Sequence, residues 1–145
     1  MAETTITSAN SVFTIVVPGL FPAPVQLRGY AVDKAFATEA IDLAEVQMGV
    51  DGRMTAGYTP NPTKMTVSLQ ADSPSKALFM AMIQSTKTTR EVFYISGSIS
   101  LPSTQESYTL TRGILSNVKQ LPDAQKVLQP MDFVITWESV DYAVL

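Results

Sequence analysis

The sequence contains no cysteine and no histidine. Without cysteine there is no disulfide framework and no thiol chemistry. Without histidine the commonest general base is gone, and the two absences together remove nearly every zinc site. Charge is also scarce, at 16% of the chain, against roughly a quarter in typical globular domains. Apolar residues, at 46%, are ordinary, so neutral polar and apolar surface stands where charge is missing. That pattern suits a protein whose surface is covered by partners, or a Ser- and Thr-rich soluble monomer. The formal net charge of -3 argues against a general nucleic-acid binder, which needs a basic surface to neutralise phosphates. The opening "MAETTITSANS" has no basic n-region and no long apolar run, so it reads as no signal peptide. No run approaches the about 18 apolar residues of a membrane span, so no membrane partner is expected.

What is present is mostly strand. A length of 145 residues fits one domain, residues 1–145. "SVFTIVV" (11–17) is β-branched and runs into the turn pair Pro18-Gly19. "VQLRGYAV" (25–32) alternates Val25 and Leu27 against Gln26 and Arg28. "EAIDLAEVQMGV" (39–50) and "RMTAGYT" (53–59) flank Asp51-Gly52, which predicts a long hairpin over about 39–59. An Asp-Gly pair between strands points to a two-residue type I′ turn with positive φ at both central residues. Both faces of this hairpin read as apolar or small, with Val46, Met48 and Val50 before the turn and Met54 and Ala56 after it. An ordinary surface hairpin has one wet face, so this one needs cover on both sides.

"TKMTVSLQ" (63–70) alternates Met65, Val67 and Leu69 against polar residues, the pattern of a half-buried strand. A helix is predicted over about 74–88. Ser73 suits its cap, Pro74 its first position, and Asp72 the positive end of its dipole. Leu78, Phe79, Met82 and Ile83 form one stripe at helical spacing and read as core, with Lys87 and Arg90 in the last turns. Strands resume at 91–101 and at 106–121, where Gly113 suggests a bulge or bend, and end at 131–140. In the last of these Phe133, Ile135 and Trp137 share one parity, which makes Trp137 a core residue. The fold class is mainly β with one α-helix: seven or eight strands in an antiparallel β-sandwich or barrel.

No catalytic constellation emerges, so no enzyme is expected, and no catalytic, cofactor or metal residue is assigned. Two carboxylates alone serve a glycosidase. Glu39 and Glu45 share a strand face but lie about 20 Å apart at strand rise, with Asp42 opposite. Phosphate-loop patterns are absent, and "DGRMTAGYTPNP" does not match an EF-hand loop. Residues 33–51 do carry five acids (Asp33, Glu39, Asp42, Glu45, Asp51) against one base, Lys34. This is either a solvated strand face or a surface that must not adhere to polyanions.

Four strings, "GYAVDKAF", "EVQMGVDGRMTAGYTPNP", "TVSLQADSPS" and "VLQPMDFVITWESV", resemble the tail tube proteins of contractile-tailed bacteriophages. The likeness runs from about Asn10 to Val140. It implies a structural virion protein whose hexameric rings stack into a hollow tail tube, the conduit of the genome into the host. The strands of each subunit would join a ring-wide inner β-barrel, with the helix outside it. The implied partners are further copies of the chain, the tail sheath protein, and baseplate and tail-terminator proteins. Tape-measure protein and DNA would pass through the lumen without specific binding. Assembly would take place in the host cytoplasm, and no cofactor is implied. Within that picture Met48, Val50, Asp51, Gly52, Arg53 and Met54 would form an inter-subunit hairpin. Glu39, Asp42 and Glu45 would face the lumen, where negative charge lets DNA slide. Other readings are a tail terminator, the tube of a non-phage contractile injection device, or a carbohydrate-binding β-sandwich module.

Overall fold

Alternating burial builds the core strands. In the computed structural model, which describes residues 11–27 and 36–144, strand β1 (Val12–Val17) buries Phe13, Ile15 and Val17. Strand β6 (Thr63–Leu69) buries Met65, Val67 and Leu69, and β9 (Met131–Val144) buries Met131, Phe133, Ile135 and Trp137. Each follows the two-residue side-chain period of a strand with one face on the core. The other elements are β2 (Phe21–Gln26), β3 (Phe36–Thr38), β4 (Ala44–Met48), β5 (Met54–Tyr58), α1 (Lys76–Thr89), β7 (Ile95–Leu101) and β8 (Glu106–Val118).

Seven strands form one antiparallel sheet in the order β2-β1-β7-β8-β9-β6-β3, and β4 and β5 form a second sheet by themselves. The protein is therefore mainly β with one helix among the described residues, as the sequence indicates. Among the described residues the expected sandwich or closed barrel is not made: the large sheet is open, with β2 and β3 at its edges. It curls enough for Phe13 of β1 to meet Phe36 of β3 edge to face, with ring centroids 5.7 Å apart.

The helix lays Leu78, Phe79, Met82 and Ile83 on the sheet, the stripe that the sequence marks out. Phe79 stacks on Phe133 with centroids 4.7 Å apart and planes 11° from parallel. The N-terminal signature works differently from the expectation. Ser75 is the N-cap and makes no side-chain capping bond. The Ser73 hydroxyl accepts instead from the Ser75 amide at 3.2 Å and closes the turn that leads into the helix. At the other end Arg90 is not in the last turn but is the C-cap, at φ 58°, and its amide donates to the Thr86 carbonyl.

Other boundaries shift for physical reasons. The strand expected over 25–32 is β2, which starts earlier and contains Pro22 and Pro24. Prolines lack the ladder donor and are tolerated because β2 is an edge. Residues 28–32 of that stretch, together with Asp33 and Lys34, lie outside the described residues. The strand expected over 39–50 is reduced to Ala44–Met48: residues 39–43 lie outside the strands, although the Glu39 amide and the Leu43 carbonyl still bond to neighbouring backbone at the two ends of the stretch.

Gly113 is not the bulged residue itself. The register of β8 against β7 slips between the Ile95–Gly113 and Gly97–Leu110 pairs, where Arg112 takes φ 45°. Gly113 is needed for a different reason: it pairs with Trp137, and a Cβ there would lie 2.4 Å from the indole ring.

Candidate assembly surface

The small β4–β5 sheet hangs from one end of the large one, where β3 ends and β6 begins. Every residue of both strands is exposed. Its base is tied by the Asp42 carbonyl, which accepts from the Thr59 hydroxyl at 3.1 Å and from the Asn61 side-chain amide. The Thr59 amide extends the ladder to the Leu43 carbonyl at 3.2 Å. Thr59 and Asn61 thus hold the hairpin's stem. The "TPNP" string signals a break in the chain but not this clamp.

The tip corrects the expected two-residue turn. The Gly52 amide donates to the Gly49 carbonyl at 3.0 Å, and the Gly49 amide to the Arg53 carbonyl at 2.8 Å. Val50, Asp51 and Gly52 therefore form a three-residue loop, a type I turn closed by a glycine bulge. Only Gly52 has positive φ, at 80°. Asp51 Oδ1 accepts from the Arg53 amide at 3.1 Å and holds the turn. Asp is favoured there because its short carboxylate reaches the backbone two residues on.

Register also corrects the reading of two apolar faces. Ala44 opposes Tyr58, Val46 opposes Ala56, and Met48 opposes Met54, all on one face. Glu45 opposes Gly57 and Gln47 opposes Thr55 on the other. The hairpin is amphipathic, and its apolar face is bare: Val46, Met48, Met54 and Tyr58 are each more than half exposed, and Val50 at the tip is fully so. An isolated two-stranded hairpin is marginal in water. A contiguous apolar face on one marks an interaction surface. Met48, Val50, Asp51, Gly52, Arg53 and Met54 are brought together at this tip. Tyr58 continues the apolar face toward the stem, where Ile41 and Leu43 are also exposed, beyond the residues picked from sequence.

The acidic residues are dispersed. Glu39 is exposed at the foot of the hairpin, its amide bonded to the Lys64 carbonyl at 2.9 Å. Asp42 is exposed on the stem, and Glu45 lies on the polar face of β4. The strand-parity relation among them does not hold, because residues 39 and 42 are outside any strand. A half-open depression lined by Glu39, Ile41, Leu43, Tyr58, Asn61 and Asp141 lies between stem and sheet. The Tyr108 phenol, which donates to Glu106 at 2.6 Å, is pushed above the ordinary tyrosine value by that bond and, less, by burial. It stays protonated at neutral pH and offers no general base. Trp137 is fully buried, so it presents no stacking platform for a sugar.

An open curled sheet, one helix on its core face and a bare amphipathic hairpin at one end make up the described fold, and solved structures resemble it. The tube-terminating cap of the anti-feeding prophage matches with a TM-score of 0.66 at 12% identity, over 100% of this chain and 95% of that one. The sheath/tube terminator of the extracellular contractile injection system PVC matches at 0.65 and 10% identity, over 99% of this chain and 100% of the other. A chain of the PVC sheath-tube complex in its extended state matches at 0.62 and 11% identity, over 99% and 95%. At these identities the likeness is one of fold. No curated protein matches the sequence. A family model described as tail fiber protein gp32 matches residues 4–141, and the chain belongs to that family. It is a structural component of a tail.

Proposed function

We propose that the chain is the tail tube subunit, forming hexameric rings that stack into a hollow conduit for the genome. The observation that carries this reading is the bare apolar face of the β4–β5 hairpin on a chain whose core is otherwise complete. A second copy covers that face and closes the open edges of the curled sheet into a ring-wide barrel. The sheath, baseplate and terminator proteins would bind the outside and ends of the tube. Tape-measure protein and DNA would pass through a lumen bearing Glu39, Asp42 and Glu45. The tube would be built in the host cytoplasm and end in the virion. The terminator is the second reading, favoured by the fold match to two terminator subunits. Negative-stain electron microscopy across a concentration series tests the proposal. Long hollow tubes are expected. Single rings that never stack would favour the terminator, and thin rods without a lumen would favour a fibre, as the family description has it.

A further inference from the structure

The large sheet has a second bare apolar site, at the end opposite the hairpin. Strand β6 starts at the hairpin with Thr63 paired to Trp137 and ends with Leu69 paired to Met131. Seven strand residues separate the two ends, about 20 Å at strand rise. At the far end a groove is lined by Gln70, Ala71, Asp72, Val127, Leu128 and Pro130. Val127 and Leu128, with Leu121 from the same loop, are each more than half exposed. The loop is held in shape by the Lys119–Asp123 ion pair at 2.6 Å and by a bridge between Ala124 and Leu128. It is therefore a formed surface.

Charges at the two sites are complementary. Asp51 and Arg53 flank Gly52 at the hairpin tip, while Asp72 lines the groove and Lys126 stands next to it in the chain. The ion pairs among the described residues are Arg112–Glu138 and Lys119–Asp123, so none of these four charges is ion-paired among the described residues.

We infer that the hairpin of one copy seats on the 121–130 groove of the next, with the apolar face on Val127 and Leu128, Asp51 toward Lys126 and Arg53 toward Asp72. Donor and acceptor sites lie at opposite ends of the same strands, so the contact is heterologous and head-to-tail and it propagates. Burying apolar residues on both sides lends stability, and the two charge pairs set the register. This inference rests on the self-assembly proposed above and names the surface that receives the hairpin.

The chain has no cysteine, which makes a disulfide test clean. Val50→Cys and Leu128→Cys are introduced singly and together, both at exposed positions. The assembled protein is then oxidised and run on a non-reducing gel. The double variant should give a ladder beyond the dimer, with neither single variant doing so. Tubes that form with no cross-link in the double variant would overturn the inference and leave the tube reading intact. They would leave the groove to another tail protein. Protein that stays monomeric by ultracentrifugation at high concentration would overturn both. As a second reading, Leu128→Asp should keep the native circular dichroism spectrum and raise the concentration needed for assembly at least about tenfold, the equivalent of 1.4 kcal/mol. Assembly unchanged by Leu128→Asp would count against the groove.

Discussion

Gly113 and Trp137 behave as one unit. The indole lies flat where any side chain at 113 would stand, and a Cβ there would also come within 2.9 Å of Ile135. Gly113→Ala must displace the largest buried side chain of the core. We expect a loss of about 1–3 kcal/mol, the usual cost of overpacking, measured as a lower urea midpoint at unchanged m-value. Trp137 Nε1 has no hydrogen-bond partner among the described residues, so packing rather than bonding justifies its place. Arg90 is the opposite case. It adopts a left-handed C-cap conformation that glycine takes without steric cost. Arg90→Gly should stabilise the protein by about 0.5–1 kcal/mol, read in the same titration; a loss would mean that the exposed arginine makes a contact worth more than the strain.

At the scale of elements, strands β6 and β9 and the helix were legible because burial on one face imposes periods of two and of 3.6 that the sequence cannot hide. Strand β2 was not, since Pro22 and Pro24 argue against a strand unless its edge position is known. Residues 39–43 read as strand through Ile41 and Leu43, yet they lie outside the strands, with backbone bonds to neighbours at the two ends of the stretch. The hairpin's apolar face was hidden by the assumption of a two-residue turn, which misplaces the loop around Gly52. The element is predicted to act in assembly and not in folding. A Cβ at Gly52 meets no neighbour within 4 Å, so Gly52→Val acts by straining φ 80°. That strain of about 1–3 kcal/mol is confined to the tip, so the melting transition of the subunit should hold while polymerisation, followed by light scattering, falls. Normal polymerisation would remove the tip from the interface. Phe79→Ala should do the reverse: it removes the stack on Phe133 and costs about 3–5 kcal/mol of subunit stability, seen as a lower melting temperature.

At the scale of the whole molecule, sparse charge and an open sheet fit together. In the proposed tube, a surface covered by further copies has little use for charge, and edges left open in one copy would be closed by the next. Of the acids on the hairpin and its stem, Glu39, Asp42 and Glu45 lie away from the tip, are exposed and form no ion pair among the described residues. The double variant Glu39→Lys with Glu45→Lys should still assemble, because neither residue belongs to the hairpin's apolar face. If these residues line the channel, the variant should slow genome passage by attracting phosphates, measured as the rate of DNA release from reconstituted particles. Release at the native rate would take both residues out of the lumen.

The only tryptophan of the chain, fully buried and sealed against Gly113, has a practical consequence. Its fluorescence reports whether the interior of each copy is intact and is blind to whether that copy stands alone or in a filament. Light emission and light scattering from one cuvette therefore separate two events that most assays merge: the melting of the building block and the dissolution of what is built from it.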